Sequence, residues 1–364
     1  MPITPADDYL IHQTPYPVDR VATSDRNFYD RYFFNGYAPG GDVYFGVAMG
    51  QYPNLGVTDA AFSVAFEGRQ RVVRASQRLG ADRLATAVGP IRVEVVRPLR
   101  ELLVRVEPNA YGIEAELRFT ARAIPVEEPH FFRLAGNVPV MDYTRMTQHG
   151  TWSGWLRVDG REWRLEGAPW WGSRDHSWGI RPVGGRDPRG APPQEPPQFF
   201  WNWAPVNFPD LCVLATVSEL ADGTRWHESG VILRPFPAEE AVEAEVATQL
   251  RFRSGTRWLQ SAVVTLTPKG GGEPLAIEFE PLTTFLMKGL GYGEPTWGHG
   301  IWVGEAAVDG TEYEVAKEQP LQNLHVQQLS RVRAGGQEGL GVFEILAVGP
   351  HAPSGFRELL DPAP

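Results

Sequence analysis

The strongest constraint on what this chain can fold into is a regular alternation of apolar and polar side chains. Ile113, Ala115, Leu117 and Phe119 alternate with Glu114, Glu116 and Arg118, and Ile91, Val93 and Val95 alternate with Arg92 and Glu94. Successive side chains of a pleated strand leave on opposite faces, so a period of two buries one face and leaves the other to water. Half-buried antiparallel strands are the expectation. Asp-Gly pairs at 159–160, 222–223 and 309–310 lie between such runs. Asp-Gly accepts the positive φ values of a type I′ turn, so each pair predicts a two-residue hairpin. Two stretches invite a helix instead. Residues 238–250 (AEEAVEAEVATQL) are rich in helix formers, yet Val242, Ala244 and Val246 alternate, which leaves helix and strand both open. Residues 281–290 (PLTTFLMKGL) predict a short helix across a barrel mouth.

Residues 149–160 read HGTWSGWLRVDG and residues 299–310 read HGIWVGEAAVDG, with seven identities at a constant offset of 150. The chain reads as two copies of one unit. The segments downstream of the two copies differ: PWWGSRDHSWG after the first and EQPLQNLHVQQ after the second, which places the polar chemistry in one half. A retained pair such as His149 and His299 fits a structural role better than membership of a single site. Between the copies, residues 182–198 hold six prolines and three glycines and cannot continue a sheet. The predicted organisation is a β domain over 1–185, a linker over 186–198 and a second β domain over 199–364. Closed barrels suit two such units, because closure removes edge strands.

Composition sets the class of partner. The chain has 364 residues and a formal net charge of -10, which argues against nucleic acid and anionic lipid. No apolar run approaches the ~20 residues of a membrane helix, and the first residues lack a signal-peptide pattern, so a cytoplasmic protein without a transmembrane segment is expected. Cys212, the single cysteine, lies in the apolar stretch LCVLATV and reads as a buried, inert thiol. Lysine occurs only at Lys269, Lys288 and Lys317, which leaves the first half no Schiff-base residue. There is no phosphate loop, GxGxxG, HExxH or GxSxG, and no tightly spaced histidine pair. No cofactor and no metal are expected.

The remaining candidate is Arg174-Asp175-His176-Ser177-Trp178, preceded by Trp170 and Trp171. A carboxyl raised by desolvation, or an imidazole held charged by a carboxylate, can donate a proton. On a strand, either Asp175 with Ser177 or His176 with Trp178 faces a cavity. In the second case an acid stands beside an aromatic surface able to stabilise a cation by ~0.5–2 kcal/mol. A polar strand end, with Asp175 paired to Arg174 and tryptophans filling core, accounts for the same spacing. The run RDHSWG, set after a hairpin and before a second β unit, resembles the signature of the tandem lipocalin-like superfamily that includes carotenoid 1,2-hydratases and AttH-like proteins. That resemblance implies two calycin-like antiparallel barrels packed side by side, and it implies catalytic roles for His176 and Trp178. The hydratases also use a downstream Tyr-x-Asp; the comparable stretch here, FFWNWAPVNF, offers Trp201-Asn202-Trp203 without an acid.

A second cluster, residues 289–302, brings Tyr292, Glu294, Trp297 and His299 together. With Trp171, Trp201 and Trp203, the residues Tyr292, Glu294 and Trp297 are the candidate substrate-binding set, and Asp175, His176 and Trp178 the candidate catalytic set. The functional expectation is acid-assisted hydration, isomerisation or cyclisation of a hydrophobic terpenoid, polyene or polyketide-like molecule. A carrier or sensor of a hydrophobic small molecule explains the aromatic richness without chemistry. Carbohydrate handling, with Glu228 and Glu294 as carboxylates, is a third reading.

Overall fold

The computed structural model describes residues 3–183 and 196–364, so most of the expected 186–198 linker lies outside the described residues. The first half forms β1 (Phe28–Tyr37), β2 (Val43–Tyr52), β3 (Val57–Phe66), β4 (Arg69–Arg78), β5 (Ala87–Val88), β6 (Ile91–Arg97) and β7 (Glu101–Val106). It continues with β8 (Ile113–Ala121), β9 (Val126–Glu127), β10 (Phe131–Ala135), β11 (Val138–Val158), β12 (Arg161–Arg164) and β13 (Trp170–Ile180). The second half forms β14 (Phe199–Asn207), β15 (Cys212–Glu219), β16 (Arg225–Leu233), β17 (Ala241–Phe252), β18 (Leu259–Pro268) and β19 (Leu275–Leu286). β20 (Ala306–Glu314), β21 (His325–Ala334) and β22 (Gln337–Val348) complete it.

Strands β14 to β19, β21 and β22 close an eight-stranded antiparallel barrel in which β14 pairs with both β15 and β22. The other sheet is a curled one, ordered β20-β4-β3-β2-β1-β13-β11-β8-β7-β6-β5, and it stays open between β20 and β5. It wraps a core of its own containing Phe34, Phe45, Phe62, Phe119 and Trp152. The barrel is filled by Phe200, Val217, Ile277, Phe279 and Phe343 among others. Alternation gives each lobe a second apolar face, and these faces meet: Phe33, Tyr37 and Tyr44 pack on Trp203, Leu214 and Leu329. Buried polar groups stitch the same junction. The Tyr44 hydroxyl donates to Gln327 Oε1, Gln70 Nε2 donates to the Leu286 carbonyl at 2.9 Å, and His149 Nε2 lies 2.9 Å from the Val213 carbonyl. Burial brings His149 down to about 3, so it sits neutral there.

The twelve-residue repeat is not a structural repeat. Residues 149–158 run inside β11, and Asp159-Gly160 makes the expected turn to β12 with φ 49° and 84°. Residues 299–305 are loop, and 306–314 form β20, which pairs along its whole length with β4 of the first lobe. Asp309-Gly310 therefore sits within a strand, where Asp309 takes a bond from Arg74 at 2.8 Å. Gly310 is needed for space: a Cβ there would stand 2.3 Å from the ring of Tyr111. Asp222-Gly223 is a turn of another kind, a longer connection in which only Gly223 has positive φ, 88°, and its N–H donates to the Leu220 carbonyl. Of residues 238–250, 241–250 are strand within β17, where Ala244 and Val246 are buried and Val242 is exposed. Residues 281–290 end β19 and continue as a single 3-10 turn, Met287–Leu290, which packs on β2, β3 and β4 at the lobe junction and not across a barrel mouth. Among the described residues no helix is long and apolar enough to cross a membrane.

Candidate functional site between the lobes

β13 lies between β1 and β11 in the curled sheet, so its side chains alternate between the lobe interior and the junction. Asp175 and Ser177 point to the junction, where they line a cavity of about 250 Å³. Its apolar wall comes from both lobes: Phe33 and Met141 from the first, Phe199, Trp201, Trp226 and Leu346 from the second. Its polar groups include Asp175, Arg31, Arg145, Arg181, Tyr292, His325 and Glu344.

The cations differ in how they are balanced. Arg145, two strand positions from Thr147, forms a forked pair with Glu128, 2.7 Å at each contact, and Thr147 Oγ1 donates to the same carboxylate at 2.8 Å. Burial would push Glu128 up, but the charge and hydrogen bonds of Arg145 hold it down to about 2. Arg31 is 3 % exposed and donates to the Tyr292 hydroxyl at 2.7 Å and the Leu290 carbonyl at 3.2 Å. The Tyr292 ring is met edge-on by His299 and His325, at 4.3 and 4.5 Å between centroids. His299 is anchored to the Leu290 carbonyl at 3.0 Å, and burial depresses it well below the ordinary imidazole value.

Two acids line the cavity. Glu344 is 3 % exposed, with His325 Nε2 2.5 Å from one oxygen and Gln327 Nε2 donating to the other at 2.6 Å. Burial pushes the Asp175 carboxyl up to about 6 against the pull of Arg145, and the charge of Glu344 adds to the rise. A carboxyl in that range changes protonation near neutral pH.

The other face of β13 serves a different space. His176 Nε2 lies 2.7 Å from Asp30 Oδ1, packs on Tyr32 at 4.5 Å, and meets Trp178 edge-on at 5.1 Å. These residues stand at the mouth of the first lobe, where a cavity of about 450 Å³ is bounded by Asp30, Tyr32, Met49, Arg83 and His176 and covered by residues 11–22. Trp178 itself is 39 % exposed.

Of the nine residues singled out from sequence, the structure brings Asp175, Trp201 and Tyr292 to the junction cavity. Trp203 is buried against Phe33 and donates to Thr147 Oγ1 at 3.3 Å. Trp171 lies under Arg122, whose guanidinium is 5.0 Å from its ring. Trp297 carries Arg74 at 5.0 Å, and Glu294 is 3.6 Å from the same arginine. Sequence reasoning missed Arg31, Arg145, Arg181 and Glu344. It also set aside EQPLQNLHVQQ, although His325 of that stretch is in the cavity. Charged residues at the apolar-facing phase of a strand, such as Arg31 between Tyr29 and Phe33, were the available signal.

Two antiparallel β lobes side by side, one closed and one curled, with a polar-lined cavity at their junction, make a tandem lipocalin-like fold. Residues 3–357 match a family described as a family of unknown function (DUF8625), and the chain belongs to it. An AttH-like protein of Nitrosomonas europaea has a similar structure, with a TM-score of 0.54 and 13 % identity over 88 % of this chain and 92 % of that one. That likeness shows the fold. Kievitone hydratase from Nectria haematococca superposes with a TM-score of 0.49 and 13 % identity, over 87 % of this chain and 88 % of its own. CghA in complex with Sch210972 superposes with a TM-score of 0.46 and 11 % identity, over 88 % and 89 %. No curated protein matches the sequence.

Proposed function

We propose that this protein is a cofactor-independent catalyst that moves a proton to or from a compact, largely apolar molecule held between the lobes, in a hydration, isomerisation or cyclisation. The observation that carries this reading is the Asp175 carboxyl, desolvated in an aromatic-walled cavity and raised to about 6. General acid–base groups work best with a pKa near the operating pH, because both protonation states are then accessible. Asp175 is the proton donor in this scheme. The His325–Glu344 pair in the same cavity accepts or returns that proton in this scheme, and Trp201 and Trp226 offer aromatic surface to a cationic transition state. A volume of about 250 Å³ favours a compact terpenoid or polyketide-like skeleton over an extended polyene.

The test begins with whatever compound co-purifies, identified by native mass spectrometry and extraction. Incubated with the protein in deuterium oxide, it should convert or gain solvent deuterium, and Asp175→Asn should slow this by about 100-fold or more. A compound that binds stoichiometrically and returns unchanged from the wild-type protein would make this a carrier instead.

A further inference from the structure

Of the three guanidiniums that line the junction cavity, two have no carboxylate partner among the described residues. Arg145 is spoken for by Glu128. Arg31 and Arg181 are not: both lie near the Tyr292 ring, at 5.0 and 5.8 Å from its centroid, and neither forms a carboxylate ion pair among the described residues. Arg31 spends its Nη atoms on a phenol and a carbonyl, both neutral, and its Nε, buried, has no hydrogen-bond partner. The Nε of Arg181 is likewise buried and unpartnered, and the rest of its guanidinium stacks on Tyr29 at 4.5 Å. Two neighbouring guanidiniums repel each other, and holding both in a half-dry site costs energy unless an anion joins them. The protein's nearby acids only partly fill that role: both oxygens of Glu344 are engaged by His325 and Gln327. Asp59 already binds the Gly300 N–H at 2.7 Å, and burial pushes it up to about 6, as it does Asp175.

We propose that the ligand of this cavity carries a carboxylate, bound by Arg31 and Arg181 beside Tyr292, with its apolar body directed to Phe199, Trp201 and Trp226. The guanidinium fork matches a carboxylate in two parallel bonds, which a neutral amide cannot reproduce. This rests on the reading of the cavity as a small-molecule site and adds the chemical class of the molecule. It also explains a division of labour: the arginines hold one end of the ligand while Asp175, further along the wall, faces the other.

Tryptophan fluorescence provides the test, with 1-naphthylacetate and the uncharged 1-naphthylacetamide as a matched pair. The wild-type protein should bind the acid at least tenfold more tightly than the amide. Arg181→Gln should remove most of that preference while leaving amide affinity within about twofold, and Arg181→Lys should restore part of it. Thermal unfolding of each variant separates lost binding from lost fold, and Arg31→Gln serves as a second variant. Equal affinity for acid and amide in the wild-type protein would overturn the carboxylate inference and leave the cavity reading standing. Failure of both probes to bind the wild-type protein would overturn both. Binding of the acid that Arg181→Gln and Arg31→Gln leave unchanged would place the anion elsewhere and overturn the proposal.

Discussion

The two faces of β13 make an instructive contrast. Asp175 and His176 are adjacent in sequence and resemble one catalytic pair, yet the pleat sends them to separate cavities. Asp175 faces a desolvated junction built from both lobes, with a buried Arg145–Glu128 pair behind it. His176 faces the half-exposed mouth of one lobe, where its partner Asp30 has a side chain 39 % accessible. The difference teaches that a motif read along a strand must be divided by parity before roles are assigned to it.

Activity offers the largest effect with which to break this contrast. Once a substrate is in hand, Asp175→Asn should cost about 100-fold or more in turnover, whereas His176→Gln should change it by less than about threefold. The reverse result would move the chemistry to the mouth of the first lobe. Stability comes next. Glu128→Gln leaves Arg145 charged and unpaired in the interior, an expected loss of about 3–5 kcal/mol in chemical denaturation. Asp30→Asn breaks an accessible pair and should cost about 1 kcal/mol or less. Equal losses would mean that the junction is wetter than its geometry indicates.

A smaller effect should appear in pH dependence. The Asp175 carboxyl ionises at about 6 in the folded chain against an ordinary value of 3.8, so the folded state holds its proton more tightly. That contribution to stability is complete below the ordinary value and is lost as pH rises through about 6. Asp175→Asn should therefore gain melting temperature relative to wild type between about pH 4 and pH 7.5, by a few degrees. A difference that does not vary with pH would show the carboxyl to be hydrated. Tyr44→Phe removes one buried bond to Gln327 across the junction and leaves the amide oxygen unsatisfied, which should cost about 1–3 kcal/mol in chemical denaturation.

Much of the fold was legible because the alternation of strands such as β8 is local, and so is the turn at Asp159-Gly160. The fate of Asp309-Gly310 was not. The sequence there favours a hairpin, but β4 presents a free edge and Gly310 leaves room for Tyr111, so pairing across the lobes overrides local turn preference. The site was half legible for a related reason. Asp175, Trp201 and Tyr292 stand out as polar or aromatic clusters, whereas Arg31 meets Tyr292 across a separation of 261 residues. No spacing rule reaches that far.

The loan of β20 to the first lobe has a consequence for how the chain is made. β4 has β3 on one side, and among the described residues its other side is paired by residues 306–314 alone. During synthesis the first lobe emerges long before that cover, with a strand edge of unsatisfied N–H and C=O groups exposed for the time needed to translate more than two hundred further residues. Such edges recruit other strands, including those of neighbouring nascent chains. Translation beyond β4 is thus a vulnerable interval, and its end arrives only when the second half of the chain reaches back to finish the first.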